Sequence, residues 1–521
     1  MSEINGAQAL IRTLVDCGVD TCFANPGTSE MHFVAALDDV PEMRGILALF
    51  EGVATGAADG YARMSDKPAA TLLHLGPGLG NGLANLHNAR KAKVPVVNIV
   101  GDHATYHAQY DAQLQSDIKT VARNVSGWIH TTERPEDTGA DAAEAVAAAS
   151  GPPGQVATLI LPADACWLEG GVVAKPHSLT PRTQVDSDLI ETVVKHLLSG
   201  EPAMLFLGGL ALRERGLAAA GRIAAATGVR LLGETFSTRV ERGAGIQPIP
   251  KLPYFAEAAT AELAGLRHLV LVDAKSPVSF FAYPGKPSDL VASGCEVHRL
   301  AVGGDDANAA LEALAEAVGA PATCPTLAPA ARPERPTGEL TPDSIGQALG
   351  ALFPENAIVS DESTTSGFGL AHHTAGAPPH DWLTLTGGAI GQGLPVATGA
   401  AVACPDRKVI CLQADGSALY TIQALWTQAR EGLDVTTVIF NNRSYAILNI
   451  ELSRVGAKTG GTKAKEMLDL SRPDIDFVSI AQGLGVPATR ATTAEEFTAQ
   501  FERALATPGP ALVEAMIPGI G

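Results

Sequence analysis

Short runs of apolar residues recur along the whole chain, and stretches with helical spacing separate them. Four of the clearest runs are Val94–Val100, Gln155–Ala163, Ala203–Gly209 and His268–Ala274. Continuous apolar runs of this length predict strands that are buried on both faces. Their alternation with helices predicts parallel sheets, so we expect an α/β fold.

Two proline-rich stretches without periodicity interrupt this pattern, at residues 174–185 and 320–343. Such stretches are typical of linkers between domains. They leave blocks 1–173, 186–319 and 344–521, and each block has its own alternation of strands and helices. We therefore expect three α/β domains with parallel sheets. The first and third blocks are similar in size and pattern, which suggests two related domains.

The composition narrows the class of protein. Hydrophobic residues make up 46% of the 521 positions and charged residues 18%, which excludes a mainly disordered chain. The net charge of −19 disfavours nucleic acid and anionic membranes as partners. The seven cysteines form no CxxC pair, so neither a disulfide framework nor a cysteine zinc site is indicated. Because the first residues are amphipathic and carry acids, and no run reaches about 18 apolar residues, we expect a cytoplasmic protein.

The most informative segment is Ala414–Ile447. A predicted strand ends just before Asp415, and a single helix with apolar positions 422, 425, 426 and 429 is expected to follow it. A second predicted strand, Val435–Phe440, ends just before Asn442. A βαβ connection makes the two strands parallel, so Asp415 and Asn442 should emerge at the same sheet edge. Their oxygens suit Mg²⁺, and a metal beside a helix N-terminus would hold a diphosphate.

The pairs Asp415-Gly416 and Asn441-Asn442, each taken alone, are also common in turns that bind no ligand. Asp415 and Asn442 are 27 residues apart, with a predicted helix and strand between them. This spacing favours a metal site over two unrelated turns. The pair resembles the GDG…NN cofactor motif of thiamine-diphosphate enzymes, with Ala414 in place of the first glycine. The resemblance covers nearly the whole chain and points to the family of acetolactate synthase, pyruvate oxidase and benzoylformate decarboxylase. The motifs NPGTSE, LHLGPGLGN, DGSALYTIQALWTQA and NNRSY are closest to benzoylformate decarboxylase.

The resemblance implies a domain order and two cofactors. The first block would bind the pyrimidine of thiamine diphosphate, the second would be a central domain, and the third would bind the diphosphate with Mg²⁺. In this family the cofactor lies between two subunits, which implies a homodimer or homotetramer. FAD occurs in acetolactate-synthase-type relatives, but residues 205–273 carry no decisive flavin motif.

Glu51 matches the family's glutamate beside the aminopyrimidine ring. That carboxyl favours the tautomer that removes the thiazolium C2 proton. The small residues that follow, in GAADGYAR, are expected to let the helix approach the cofactor ring closely. Ile390, after Gly388, matches the aliphatic residue that bends the cofactor.

The resemblance implies further cofactor contacts on loops that follow predicted strands. These residues are Thr364, Thr365, Asp415, Gly416, Ser417, Asn442, Ser444 and Tyr445. The metal ligands among them would be the side chains of Asp415 and Asn442 and the backbone carbonyl of Ser444.

Two residues match substrate contacts of benzoylformate decarboxylase. Thr28 matches a serine that contacts the substrate carboxylate, and His74 matches one of two active-site histidines. The second histidine has no match, because Ala282 or Tyr283 stands there.

His103 and His107 follow a predicted strand and are alternative proton donors. Ile447, Leu448 and Glu451 are expected to line the substrate pocket. Glu451 would introduce a polar group where an aryl pocket should be apolar.

The resemblance implies non-oxidative decarboxylation of a 2-oxo acid, with carboligation of an aldehyde as a further outcome. An acetolactate-synthase-type carboligase is the first alternative. An inactive regulatory homologue that binds a nucleotide through Gly76–Gly82 is the second, although the presence of Glu51, Asp415 and Asn442 together argues against it.

Overall fold

A computed structural model describes residues 4–457 and 461–519 of the chain. Three sheets organise these residues, with six, four and seven strands. Every strand pair is parallel except one at the edge of the third sheet. The expected α/β architecture of three parallel-dominated sheets is confirmed. None of the helices in the described part of the chain is long and apolar enough to cross a membrane.

The first block contains the six-stranded sheet and seven α-helices. In chain order these elements are α1 (Gly6–Asp16), β1 (Thr21–Asn25), α2 (Met31–Ala36), β2 (Arg44–Leu47), α3 (Glu51–Ser65), β3 (Ala69–Leu73), α4 (Leu75–Ala92), β4 (Val96–Asp102), α5 (Ile118–Ala122), β5 (Trp128–Thr131), α6 (Thr138–Ser150), β6 (Val156–Pro162) and α7 (Ala163–Trp167). Strand β6 is buried at every residue, as its apolar run predicts, and so is β3.

The middle block follows a stretch without helix or extended strand, and it carries the four-stranded sheet. Its elements are α8 (Ser187–Leu197), β7 (Ala203–Leu207), α9 (Glu214–Thr227), β8 (Arg230–Gly233), β9 (Val240–Arg242), α10 (Ala256–Glu262), β10 (His268–Val272), β11 (Glu296–Ala301) and α11 (Ala307–Ala317). Strand β9 does not join this sheet. It pairs antiparallel with the third sheet, so the middle block is tied to the third by backbone hydrogen bonds.

The third block begins at α12 (Pro342–Leu352), where Thr341 caps the first turn and proline occupies the first helical position. The remaining elements are β12 (Ile358–Glu362), α13 (Leu370–His373), β13 (His380–Thr384), α14 (Gly393–Ala403), β14 (Val409–Ala414), α15 (Asp415–Ala418), α16 (Ala424–Glu431), β15 (Val435–Asn441), α17 (Ala446–Arg454), α18 (Thr462–Glu466), α19 (Phe477–Gly483), β16 (Ala488–Ala491), α20 (Ala494–Ala506) and β17 (Ala511–Met516). The single helix expected after Asp415 is instead two short helices, α15 and α16.

The first and third blocks share one topology. Numbered within its own block, each sheet has the strand order second, first, third, fourth, sixth, fifth, apart from the added β9. The similarity of the two blocks in sequence pattern therefore reflects a common fold.

Helices α3 and α14 pack directly against each other and join these two blocks. A Cβ added to Gly60 would lie 2.1 Å from the carbonyl oxygen of Val396, and one added to Gly399 would lie 1.8 Å from that of Ala57. Gly56 similarly faces Pro395. The small residues of GAADGYAR thus allow two helices of this chain to approach closely, which corrects the expectation that they serve the cofactor ring.

Candidate active site

Asp415 and Asn442 lie side by side at the carboxyl edge of the third sheet. Strands β14 and β15 are neighbours in register, with Ala414 opposite Phe440. Asp415 Oδ2 accepts the backbone N–H of Arg443 at 2.7 Å, which links the two strand ends directly. The βαβ connection therefore brings the ends of the two strands, with Asp415 and Asn442, to one edge of the sheet, as the sequence predicts.

The donor set at this edge fits a divalent cation. Asp415 is 2% exposed, and burial raises the pKa of its carboxyl against the opposing effect of nearby backbone N–H groups. No Lys or Arg side chain forms an ion pair with Asp415 among residues 4–457 and 461–519. A buried carboxylate without a counter-ion, next to the Asn442 amide, suits Mg²⁺.

Four other predicted cofactor residues surround Asp415. The ring of Tyr445 packs on Gly416, where an added Cβ would lie 2.4 Å from a ring carbon. The Ser444 backbone N–H donates to Asn442 Oδ1 at 2.9 Å. The Ser417 hydroxyl donates to the Ala414 carbonyl at 3.1 Å and accepts a hydrogen bond from Gln413 Nε2 at 2.5 Å. Its hydrogen-bond partners are therefore protein atoms.

Glu362, at the end of β12, anchors the loop that carries Ile390. Its two carboxylate oxygens each accept a backbone N–H at 2.6 Å, one from Gly391 and one from Gly393. Gln413 also donates to it at 3.1 Å, which connects this loop to Ser417. Glu362 is fully buried, and desolvation raises its pKa to about 7. Glu362 was not predicted from the sequence, although an acid at the end of a buried strand was a usable signal.

Helix α4 of the first block holds the same loop from the other side. Asn88 Nδ2 donates to the Ala389 carbonyl at 2.8 Å, and Asn85 Nδ2 donates to the Gly391 carbonyl at 3.2 Å. Gly388 and Gly391 flank Ile390 with φ of +75° and +93°, a conformation that glycine adopts readily. Ile390 thus sits on a loop fixed at both sides. Neither asparagine was singled out from the sequence.

Thr364 and Thr365 follow Glu362 in a tight turn. Thr365 is buried, whereas Thr364 is half-buried and has a φ of +51°. A β-branched residue in this conformation is strained, and such strain concentrates at functional sites.

Glu51 is the first residue of α3 and is 8% exposed. Its Oε2 accepts Asn81 Nδ2 of α4 at 3.0 Å, and Oε1 has no hydrogen-bond partner among the described residues. A Cβ added to Gly78 would lie 3.1 Å from Glu51 Oε1 and 3.5 Å from His74 Cβ. Glu51 and His74 therefore border the same glycine, and a free carboxylate oxygen remains for a ligand.

His74 precedes α4 and pairs with a buried acid. Its Nδ1 lies 2.8 Å from Oε2 of Glu30, which also accepts the Gly27 backbone N–H at 2.7 Å. Burial raises the pKa of Glu30, against the opposing effect of His74 and Gly27. The His74 ring packs on Gly27, and Leu75 follows with a strained φ of +52°. Glu30 was missed, although its position three residues after Gly27 resembles a capping box.

Thr28 and the alternative histidines lie at the same edge of the first sheet. Thr28 is exposed, in the loop that supports His74. His103 follows β4, the neighbour of β3, and its ring centroid lies 5.2 Å from that of His107. His103 Nε2 is buried without a hydrogen-bond partner in the described part of the chain.

The expected pocket residues on α17 divide into two groups. Ile447 is half-buried and Leu448 is exposed. Glu451 faces Arg454, with 3.6 Å between Glu451 Oε1 and Arg454 Nε. The Arg454 guanidinium in turn lies 4.8 Å from the ring centre of Tyr283. Glu451 and Tyr283 therefore belong to a cluster between the middle and third blocks.

An aromatic wall from the middle block reaches the Ile390 loop, and it was not predicted from the sequence. A Cβ added to Gly388 would lie 2.7 Å from the ring of Phe280. The centroid of Phe280 is 5.3 Å from that of Phe236 and 5.4 Å from that of Tyr254.

The predicted residues thus form two groups within one chain. One contains Asp415, Asn442 and their neighbours with the Ile390 loop, and the other contains Glu51, His74 and Thr28. No hydrogen bond joins Glu51 or His74 to Asp415 within residues 4–457 and 461–519.

Comparison with known proteins agrees with this division. Residues 4–124 match the N-terminal TPP binding domain of thiamine pyrophosphate enzymes, and residues 363–515 match the C-terminal TPP binding domain. The first match lies within the first block and the second within the third.

Three relatives extend over nearly the whole chain. IlvX of Mycobacterium tuberculosis, a provisionally assigned acetolactate synthase large subunit, is 62% identical over 99% of this chain and 100% of its own. Benzoylformate decarboxylase of Pseudomonas aeruginosa is 30% identical over 95% of this chain and 96% of its own. The structure of a thiamine diphosphate-dependent 4-hydroxybenzoylformate decarboxylase from Rhodococcus jostii RHA1 matches with a TM-score of 0.85 and 26% identity, covering 99% of each chain.

Proposed function

Since this chain belongs to the thiamine pyrophosphate enzyme family, we propose that it is a Mg²⁺-dependent 2-oxo acid decarboxylase. Bound thiamine diphosphate would supply an electron sink for cleavage of the bond to the carboxylate. The chain's own residues would bind the cofactor, orient the 2-oxo acid and move protons.

The third block would hold the diphosphate end. Asp415 and Asn442 are the proposed metal ligands together with the Ser444 carbonyl, because these are oxygen donors around an uncompensated buried charge. Thr364 and Thr365, on the neighbouring strand end, would contact the diphosphate. Ile390 would support the cofactor, since Glu362 and the α4 asparagines fix its loop.

The first block would carry the acid and base groups. The free Oε1 of Glu51 would hold a proton at the aminopyrimidine nitrogen. His74 would transfer a proton at the reacting carbon through Nε2, because Nδ1 is engaged by Glu30. Thr28, exposed on the adjoining loop, would contact the substrate carboxylate.

The single observation that carries the choice of decarboxylation is the Glu30–His74 pair. A buried carboxylate on Nδ1 fixes the imidazole tautomer and leaves Nε2 to face the substrate. The aromatic wall of Phe236, Tyr254 and Phe280 favours a 2-oxo acid with an aryl or large apolar group, as in the two benzoylformate-type relatives.

A second candidate is an acetolactate-synthase-type carboligase, and the 62% identity with IlvX favours it. Both reactions begin with loss of CO₂ from a 2-oxo acid and differ in the acceptor, a proton or a second carbonyl group.

The test is to incubate protein loaded with Mg²⁺ and thiamine diphosphate with benzoylformate and, separately, with pyruvate. CO₂ release is measured, and NMR identifies the product. We expect an aldehyde from benzoylformate. Acetolactate from pyruvate with no aldehyde from benzoylformate would favour the second candidate. No CO₂ from either acid, with bound cofactor demonstrated, would contradict the proposal.

A further inference from the structure

Three histidines and a glutamate converge in the middle block, apart from all residues of the candidate active site. His196 lies in the last turn of α8, His268 begins β10, and Glu296 and His298 lie on the neighbouring edge strand β11. One potential ligand atom from each residue lies within 4.8 Å of the others. His268 pairs with Glu296 in the sheet register, which places these side chains on one face.

The distances within this cluster, hereafter the His196 cluster, suit a shared metal ion. His268 Nδ1 and His298 Nε2 face each other at 3.2 Å. Two nitrogens bound to one tetrahedral zinc at about 2.0–2.1 Å have a separation of this order. Glu296 Oε2 lies 3.8 Å from His268 Nδ1 and 3.9 Å from His298 Nε2. The His196 ring stacks on that of His298, with 4.3 Å between the centroids, and one of its nitrogens lies within 4.8 Å of the other three ligand atoms.

A carboxylate outside the cluster sets the tautomer of the most buried ligand. His268 Nε2 lies 2.9 Å from Oε2 of Glu201. A proton held on Nε2 by that carboxylate leaves the Nδ1 lone pair directed at His298. Metal-binding histidines are commonly oriented in this way by a carboxylate on the other ring nitrogen.

A hydrogen bond between His268 and His298 would alone account for the 3.2 Å separation. It would not account for the third imidazole and the carboxylate around the same point. Imidazole nitrogens with one carboxylate form a ligand set that zinc, cobalt and nickel bind well.

We propose that the His196 cluster binds a transition-metal ion, with Zn²⁺ as the natural occupant. Four protein ligands complete a tetrahedral shell, which is typical of structural zinc sites rather than catalytic ones. The ion would fasten the end of α8 to the edge of the four-stranded sheet. The site is independent of the proposed decarboxylase activity.

The test uses the full chain saturated with Mg²⁺ and thiamine diphosphate, so that the Asp415 site is occupied before metal is added. Tightly bound metals are removed by chelation before this saturation, and ZnCl₂ is then titrated by calorimetry and CoCl₂ by visible absorbance. We expect one Zn²⁺ per chain, a higher Tm with zinc, and the intense d–d bands of tetrahedral cobalt.

Three variants and a matched control assign the binding to the cluster. His298→Gln removes a nitrogen ligand, Glu296→Gln removes the exposed carboxylate without disturbing the core, and Glu201→Gln alters only the tautomer support. We expect the first two to lose the stoichiometric site and its cobalt bands, and the third to bind about 10–100-fold more weakly. His177→Gln, at an exposed histidine in a linker, should bind zinc like the parent chain.

Absence of a stoichiometric zinc site in the parent chain would overturn the proposal. Equal affinities of His298→Gln, Glu296→Gln and His177→Gln would also overturn it. If His298→Gln fails to fold by circular dichroism, Glu296→Gln decides the question, because its side chain is largely exposed.

Discussion

Nδ1 of His74 lies 2.8 Å from Oε2 of Glu30, a carboxylate that is 1% exposed. The pair joins the end of β3 to the loop after β1, two neighbouring strands of the first sheet. If His74 transfers a proton as proposed, this pair would fix the orientation of its ring before any substrate arrives.

The first prediction concerns Glu30 as a positioning residue. We expect Glu30→Ala to lower kcat by about 10–100-fold, the range for losing a hydrogen bond to a charged group. Glu30→Gln should retain more turnover, since its amide oxygen can still accept a hydrogen bond from His74 Nδ1–H. The measurements are kcat on the best 2-oxo acid and thiamine-diphosphate affinity, which should stay unchanged. Glu42→Gln, at an exposed site of the same block, is the control. If Glu30→Ala keeps full turnover, the pair has no functional role.

The positions of Asp415 and Asn442 in the fold could be predicted from the sequence, because the ends of strands depend on the local pattern of apolar residues. The apolar runs predict the ends of β14 and β15 to within one residue, and parallel geometry then brings Asp415 to the same sheet edge as Asn442. Glu30, Glu362 and Asn88 escaped prediction because their partners lie far away in the chain, and the pairings exist only after the blocks fold.

The glycines of α3 are a case in which a prediction was made from the sequence and was wrong. Small residues indicate a close approach, but not what approaches, and Gly60 proves to face α14. The helix expected after Asp415 is divided into α15 and α16 because a tertiary contact forms at the break. Thr421 Oγ1 donates to the Gly391 carbonyl at 2.9 Å, a tertiary contact in the break between α15 and α16 that local periodicity does not register.

The second prediction is a pH dependence of stability from Glu362. Its pKa is raised to about 7 in the folded chain, from about 4.3 when unfolded. Between these values the folded state holds the proton more tightly, so the free energy of unfolding should rise as pH falls from 7 towards 5. The gain should be of the order of 2–3 kcal/mol and level off below pH 4.

The measurement is urea unfolding of the parent chain and of Glu362→Gln at each pH. Subtracting the variant isolates Glu362 from Glu234, another acid whose pKa desolvation raises to about 7. A difference between the two proteins that stays constant from pH 5 to 7 would contradict the assignment.

The third prediction tests the metal ligands. Asp415→Ala should abolish retention of thiamine diphosphate while the protein stays folded, since the diphosphate charge loses its Mg²⁺. Calorimetry measures cofactor affinity, and Asp406→Ala at an exposed turn before β14 provides a matched control. Unchanged affinity in Asp415→Ala would remove Asp415 from the metal site.

The fourth prediction is that each active site uses two subunits. Glu51 and Asp415 share no hydrogen bond within the described part of one chain, and we expect them to meet across a homodimer or a larger assembly. Glu51→Gln and Asp415→Ala should each be inactive alone. When both are coexpressed, a mixed dimer contains one site with neither substitution and should recover activity. An inactive mixed dimer of verified subunit ratio, or an active monomer in sedimentation, would refute the shared site.

The most direct test of the account is the rate of CO₂ release by His74→Ala on the best 2-oxo acid. We predict turnover lowered by roughly 10²–10⁴, the range for losing a positioned acid–base group, with thiamine-diphosphate affinity unchanged. A histidine with only a packing role would instead lower Tm and leave the turnover of the folded protein intact. Full turnover in His74→Ala would contradict the proposed decarboxylase site and direct attention to His103 and His107.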